Sequence, residues 1–321
     1  MSQSIRSMYK WYRDAEICYA YLYDVDSTIA GTSKFRAEKA LRRGWTLQEL
    51  LAPKNVRFYD FQWEKIGTKA GLAKDISDAT KIHPDYLREH QAFRRASIAT
   101  KMSWLARRIT TWDEDMAYST LGIFGVRDLV PMYGEGMSAF LRLQLALVSR
   151  QDESLYAWKL PEHTKKSGIP GWAAHEWGLL APEPLCFRDS AAINLDGKRS
   201  ERYLGGFNVS GPGVSFWHSL KEHTRWGKVW RIPRTVRFKT LTLNCWTKVD
   251  SGKLKAIQIT IRQESKHTHI FRRQNSHTWK ISKSGHVPET IFKRKGNGNP
   301  KVAALVFAQP GVADDWNLDG D

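Results

Sequence analysis

The chain opens on a pattern of period 3.6. Ile5, Met8, Tyr9 and Tyr12 in "SIRSMYKWYRDA" (residues 4–15) recur at helical spacing and predict an amphipathic helix. "EICYAYLYDVD" (16–26) follows. Aromatic and aliphatic residues crowd it and acidic ones close it, so it reads as a buried strand. Residues 27–40 read as a polar loop leading to a second helix, "GWTLQELLA" (44–52), which Pro53 ends. "NVRFYDF" (55–61) predicts a second strand. Two strands joined by a helix make a parallel βαβ unit. Parallel pairs are normally buried in larger sheets with both faces covered, and an isolated pair of strands is marginal. Residues 1–60 are therefore expected to be the second half of an α/β domain whose first half the chain lacks.

Helices follow. "AGLAKDISDAT" (70–80) predicts one, and "ASIATKMSWLARRI" (96–109) another, with Ile98, Met102, Leu105 and Ile109 on one face. "TTWDEDMAYSTLGIFG" (110–125) opens with Thr111 and Glu114 at capping-box spacing. "GEGMSAFLRLQLALVSR" (134–150) is the last long helix, and Gly122, Gly125 and Pro131 mark the turn before it. Beyond about residue 160 long helical periodicity stops. "TVRFKTLTLNCWTKV" (235–249) alternates as a strand does, with Val236, Phe238, Leu241, Leu243 and Cys245 as core positions. "KAIQITIRQE" and "HTHIFRRQ" continue that pattern. The fold class expected is α/β with a helical segment over residues 1–158, then a mostly β domain over 159–321 with a loose tail.

Composition sharpens this in three ways. The 14 Trp imply a large, irregular core or an aromatic-lined surface. The net charge of +17 is uneven, with 24 basic against 19 acidic residues up to 160 and 26 against 14 beyond. A basic half attracts nucleic acid, anionic membrane or acidic partners, or simply keeps the surface solvated. Cys18, Cys186 and Cys245 form neither a disulfide framework nor a zinc site. The N-terminus has no apolar signal core and no run reaches the length of a membrane span, so a cytoplasmic protein without a membrane partner is expected.

Several stretches together resemble the fungal heterokaryon incompatibility (HET) domain. They are "SIRSMYKWYRDAEICYAYLYDV" (4–25), "RGWTLQELLAP" (43–53), "WEKIGTKAGLAKDI" (63–76), "SIATKMSWLARRITTWDEDMAYSTLGIFGV" (97–126), "MYGEGMSAFLRLQ" (132–144) and "ESLYAW" (153–158). The likeness continues weakly through "GLLAP" (178–182). It implies a TIR-like, flavodoxin-like α/β domain acting in self/non-self recognition, whose activation triggers regulated cell death. Some TIR domains cleave NAD at the nicotinamide–ribose bond with one glutamate, and by that analogy Glu49 is the catalytic candidate. The resemblance also implies other HET or NLR-like incompatibility proteins as partners. The chain departs from the family pattern at Ala40 and Leu41, where an aromatic pair is usual, and at Trp112, where the family has Arg. The stretches that usually precede the first helix are missing, which implies a truncated domain. The alternative to an enzyme is a non-enzymatic fragment that binds or modulates other HET or TIR-like proteins, or itself.

Each candidate residue has an ordinary structural reading beside the functional one. Glu49 can stabilise the oxocarbenium-like state of glycosyl cleavage, or be a solvated charge on a helix that packs on the sheet. Trp45, one turn earlier, can stack on a base or sit in the core. Asp24 and Asp26 end the first strand, where they can hold ribose hydroxyls or cap a turn. Arg42 and Arg43 can meet a pyrophosphate or remain surface charges. The expected set is Glu49 as catalytic, with Asp24, Arg43 and Trp45 toward NAD as substrate; no cofactor and no metal is expected. "TTWDED" reads as a helix start, and "YGEGMSAF" lacks a phosphate-loop pattern. His267 and His269 share a strand face without a third ligand. Trp226, Trp230, Arg231, Arg234 and Arg237 could stack on single strands, but no binding module is recognisable, so nucleic acid is not an expected partner.

Overall fold

The computed structural model describes residues 2–26, 38–161, 176–195, 208–210, 213–218, 221–222, 238–249, 251–263, 270–274, 276–281 and 303–308. It is a mixed α/β protein with helices and two sheets. The chain divides into two compact units, Met1–Ala146 with Pro182–Ala191, and Leu147–Ala181 with Ala192–Asp321.

The first unit begins with α1 (Ser2–Asp14), β1 (Cys18–Tyr21), α2 (Glu38–Leu41), α3 (Thr46–Leu51), β2 (Val56–Tyr59) and β3 (Lys65–Thr68). β1 and β2 pair in parallel, Cys18 opposite Val56 and Tyr21 opposite Tyr59, as the strand–helix–strand order predicts. β3 adds what the sequence reading missed. It turns back antiparallel on β2, giving the order β1-β2-β3. A third strand supports a pair that would be marginal alone.

The β2–β3 turn is built on Asp60, which is fully buried. Its Oδ1 accepts the backbone N–H of Gln62 at 2.9 Å and of Glu64 at 2.8 Å. Between them Trp63 is held at a φ of 64°. That left-handed region costs a bulky residue on the order of 1–3 kcal/mol.

The sheet has one covered face. Leu47, Leu50 and Leu51 of α3 and Val56 and Phe58 of β2 are buried. On β1, Cys18 and Ala20 are half-buried while Tyr19 and Tyr21 are exposed, and Tyr23 beyond the strand is exposed too. This corrects the reading of residues 16–26 as a fully buried strand. A tyrosine ring accepts contact with water at its hydroxyl end, so a run of aromatics does not require two covered faces.

The unit continues with α4 (Ala73–Thr80), α5 (Pro84–Arg88), α6 (Ile98–Leu105), α7 (Asp115–Tyr118), α8 (Leu121–Phe124) and α9 (Ser138–Val148). Ser97 caps α6, its Oγ accepting the Thr100 N–H at 3.1 Å. The capping box expected at Thr111 and Glu114 does not form. Glu114 stands at the N-cap of α7 in helical conformation and makes no capping bond, because its carboxylate is drawn to another loop.

The second unit is built on one nine-stranded sheet: β4 (Ile193–Asn194), β5 (Asn208–Ser210), β6 (Gly213–His218), β7 (Lys221–Glu222), β8 (Phe238–Lys248), β9 (Leu254–Gln263), β10 (Ile270–Gln274), β11 (Lys280–Ile281) and β12 (Ala303–Ala308). The order is β4-β8-β9-β10-β12-β6-β5, with β11 on β9 and β7 on β8; within the described strands of this sheet only β10 and β12 pair in parallel. Leu241, Leu243 and Cys245 of β8 and Ile257, Ile259 and Ile261 of β9 are buried, following the period-2 pattern. Val236 lies outside the described residues. Arg273 is fully buried and donates to the carbonyls of Tyr156 and Trp158, with its guanidinium 4.0 Å from the Trp158 ring centre.

α1 packs on α3 and α8. At Gly122 of α8 a β-carbon would lie 2.2 Å from the Cβ of Tyr9. Alanine is the better helix former by about 1 kcal/mol. Overpacking against the backbone-proximal part of Tyr9 outweighs this, so Gly122→Ala should lose about 1–3 kcal/mol in chemical denaturation. A variant as stable as the native chain would show that α1 can shift without cost.

Candidate functional site

The expected catalytic residue lies on α3. Glu49 is half-buried. The Tyr12 hydroxyl of α1 is hydrogen-bonded to it, and its charge acts on Cys18 of β1 and on Arg108. Burial raises the Tyr12 phenol, and Glu49 raises it further through charge and the hydrogen bond. Burial pushes the Cys18 thiol up to about 11, aided by Glu49 and opposed by Lys69. Three elements distant in sequence thus converge on one carboxylate.

Arg108 anchors this arrangement. It is buried, and its Nε donates to the Trp104 carbonyl at 3.1 Å. Its Nη1 donates to the Arg43 carbonyl at 2.8 Å and to Thr46 Oγ1 at 3.0 Å. Its Nη2 is buried without a hydrogen-bond partner. Burial pushes the guanidinium down to about 9, against the pull of Glu49, and it stays protonated at neutral pH. Backbone bonds reinforce the contact, from Gly44 N–H to the Ile109 carbonyl at 2.9 Å and from Ile109 N–H to the Arg42 carbonyl at 2.7 Å. At the other end of α3, the buried Lys69 donates to the carbonyls of Leu50 (3.1 Å) and Pro53 (2.6 Å). A cation on the last carbonyls satisfies groups that a helix leaves open. Burial pushes the Lys69 amine down to about 8.

The other expected residues fall around this frame. Trp45 precedes the first residue of α3, and its indole N–H donates to Asp115 Oδ2 at 2.9 Å. Arg43 has an exposed side chain, and its carbonyl accepts from Arg108. Arg42 is exposed as well. Asp24 is half-buried just past β1, with its Oδ1 buried and unpartnered. Arg43 and Trp45 therefore lead into α3 and Glu49 lies one turn along it, whereas Asp24 sits at the strand end. Tyr12, Cys18, Lys69 and Arg108 were not identified as site residues from sequence. The helical spacing of Tyr12 was a signal; Arg108 had none, since its bonds reach back over 60 positions.

"TTWDED" and "MYGEGM" interlock. Glu114 Oε1 accepts the N–H of Gly134 at 2.7 Å and of Gly136 at 2.9 Å. Both glycines have positive φ, 98° and 55°, which turns their N–H groups toward the carboxylate. Tyr133 donates to Asp115 Oδ1 at 2.7 Å, on the carboxylate that also holds Trp45. Tyr118 and Arg142 both bind Glu135. Among the described residues no group of three or more His, Cys, Asp or Glu comes together as metal ligands. His267, His269, Trp226, Trp230, Arg231, Arg234 and Arg237 lie outside the described residues.

What the arrangement can do follows from Glu49. A carboxylate held by a phenol hydroxyl near a buried guanidinium can bind a substrate hydroxyl or stabilise positive charge at an adjacent carbon.

Two outcomes test this geometry. Glu49→Gln removes a negative charge beside Cys18, so the thiol should form thiolate at lower pH and alkylate faster near pH 9. Alkylation profiles unchanged by Glu49→Gln would place the two groups out of electrostatic reach. The Glu114 carboxylate is held below its ordinary range by its own backbone N–H and those of Gly136 and Gly134. Its contribution is fully present above the ordinary value of 4.5 and is lost as pH falls through the folded value. Denaturation midpoints of Glu114→Gln between neutrality and acid should therefore fall less steeply than those of the native chain.

The chain is 38% identical over 175 residues to the vegetative incompatibility protein HET-E-1 of Podospora anserina. The matched stretch covers 52% of this chain and 13% of that protein, so the chain spans a small part of its relative's length. No family model matches the chain, and no solved structure matches it. No described helix is long and apolar enough to cross a membrane. The chain is thus related, through about half of its length, to a heterokaryon-incompatibility protein.

Proposed function

We propose that the chain acts in fungal vegetative incompatibility, in the regulated cell death that follows fusion of unlike cells, with Glu49 as its reactive carboxylate. The observation that carries this reading is the 38% identity to a vegetative incompatibility protein over 175 residues. The chemistry assigned to Glu49 is cleavage of NAD in a TIR-like α/β unit. The bond between nicotinamide and ribose breaks with its electron pair leaving on nicotinamide. Positive charge develops on the ribose carbon and ring oxygen, where a carboxylate stabilises it. Water then bonds to that carbon and releases a proton. The Tyr12 hydroxyl orients the carboxylate, and Arg108 fixes the helix that bears it. Asp24, with an unpartnered buried oxygen at the strand end, is placed to receive a ribose hydroxyl.

A second reading is a non-enzymatic fragment that binds or modulates other HET, TIR-like or NLR-like proteins. It is favoured by β1, which among the described strands pairs only on its β2 side and leaves a row of backbone groups open.

NAD content and viability of fungal cells separate the two. With the native chain both should fall; with Glu49→Ala or Glu49→Gln both should recover. Death that persists in the Glu49 variants with NAD intact would refute the catalytic assignment and favour the binding one. A native chain that changes neither quantity overturns the incompatibility reading itself.

A further inference from the structure

The outer face of the β1-β2-β3 sheet is an aromatic surface that neither the Glu49 chemistry nor the free strand edge uses. Register places Tyr19 opposite Arg57 and Tyr21 opposite Tyr59, and then Tyr59 opposite Lys65 and Arg57 opposite Thr68. These residues share the face turned away from α3. Tyr21 and Trp63 stack with ring centres 4.8 Å apart and planes 20° apart. Tyr59 tilts against Trp63 at 5.9 Å and against Tyr19 at 5.9 Å. The rings form one continuous ladder across the strands. Trp63 is 61% exposed and Tyr19 58%.

Two observations select the occupant. Among the described residues from 16 to 70, every exposed large hydrophobic residue is aromatic: Tyr19, Tyr21, Tyr23, Phe61 and Trp63. Flat exposed rings suit the faces of nucleobases, every one of which can stack on them. The ladder is also flanked by two cations, Arg57 and Lys65, whose side chains make no hydrogen bond or ion pair among the described residues. Unpaired cations beside stacked rings are complementary to a phosphate backbone carrying exposed bases. The strained backbone of Trp63 fits a ring presented for contact, since a position with φ of 64° would ordinarily hold glycine.

We infer that this face binds single-stranded nucleic acid, with bases stacking on Tyr19, Tyr21 and Trp63 and phosphates meeting Arg57 and Lys65. The surface lies in the first unit.

Anisotropy of a short labelled oligothymidylate, titrated with the full chain over a range of salt, tests it. Trp63→Gly removes the ring and relieves the left-handed backbone, so it should keep or raise the melting temperature while weakening binding roughly tenfold or more. Arg57→Gln should weaken binding and reduce the salt slope by about one. Excess duplex DNA should compete poorly with the single strand. Binding that both variants leave unchanged overturns the inference and assigns the affinity to the basic surface elsewhere. Absence of binding overturns it too. So does self-association in sedimentation that Trp63→Gly abolishes, which would make the occupant a second copy.

Discussion

The guanidinium of Arg108 fixes where α3 begins, and most of the candidate site depends on that. One buried cation joins the end of α6 to the start of α3, with one hydrogen bond to its own segment and two across. Burying a charge is costly unless donors and acceptors are matched, and one nitrogen of Arg108 remains unmatched. The protein tolerates that cost at the one place where the 104–109 segment must lie against residues 42–46. Glu49 is one turn further along, so its position relative to Tyr12 and Cys18 follows from this tie. Lys69 repeats the device at the other end of the same short helix. A helix of six residues is too short to hold itself; its ends are held by two cations drawn from elsewhere in the unit.

Two of the motifs have a structural account that does not require catalysis. "TTWDED" and "MYGEGM" bind each other through Glu114, Asp115, Tyr118, Tyr133 and Glu135. Through Asp115 the same cluster holds the indole of Trp45. Trp112, within the first of these motifs, is exposed, so the interlock forms without its side chain. These two motifs thus lock loops around a core, and their presence bears on the fold before it bears on chemistry.

Legibility from sequence divided along the range of the interactions. Helical and strand periodicities gave α1, β1, β2, α4, α6, α9 and the alternation of β8 and β9, because each is set by neighbours within one element, and the strand–helix–strand order gave the parallel pairing of β1 with β2. β3 escaped because its residues, "KIGT", carry no alternation, and its pairing depends on the Asp60 turn. The capping box at Thr111 and Glu114 had the right letters, but that carboxylate binds its own backbone N–H and two distant ones instead of capping the helix start. Within the site, Glu49 and Trp45 were visible as a pair on one helix. Their partners, Tyr12, Arg108 and Asp115, lie from 37 to 70 positions away, and local pattern carried no trace of those pairings.

β1 ties the two surfaces of the first unit together. Its residues alternate faces, so Cys18 meets the field of Glu49 while Tyr19, its neighbour, stands in the outer aromatic ladder. In a strand this division is strict, because moving the register by one residue exchanges every side chain between faces. The pairing of Cys18 with Val56 and of Tyr19 with Arg57 therefore sets the Glu49 environment and the outer surface in one step. Neither can be repositioned along β1 alone without the other. Side chains on opposite faces share no direct contact, however, so substitutions that keep the register should act independently on the two, as separated sites do. The sheet thus couples the two surfaces in how they are built and leaves them free in how they respond to change.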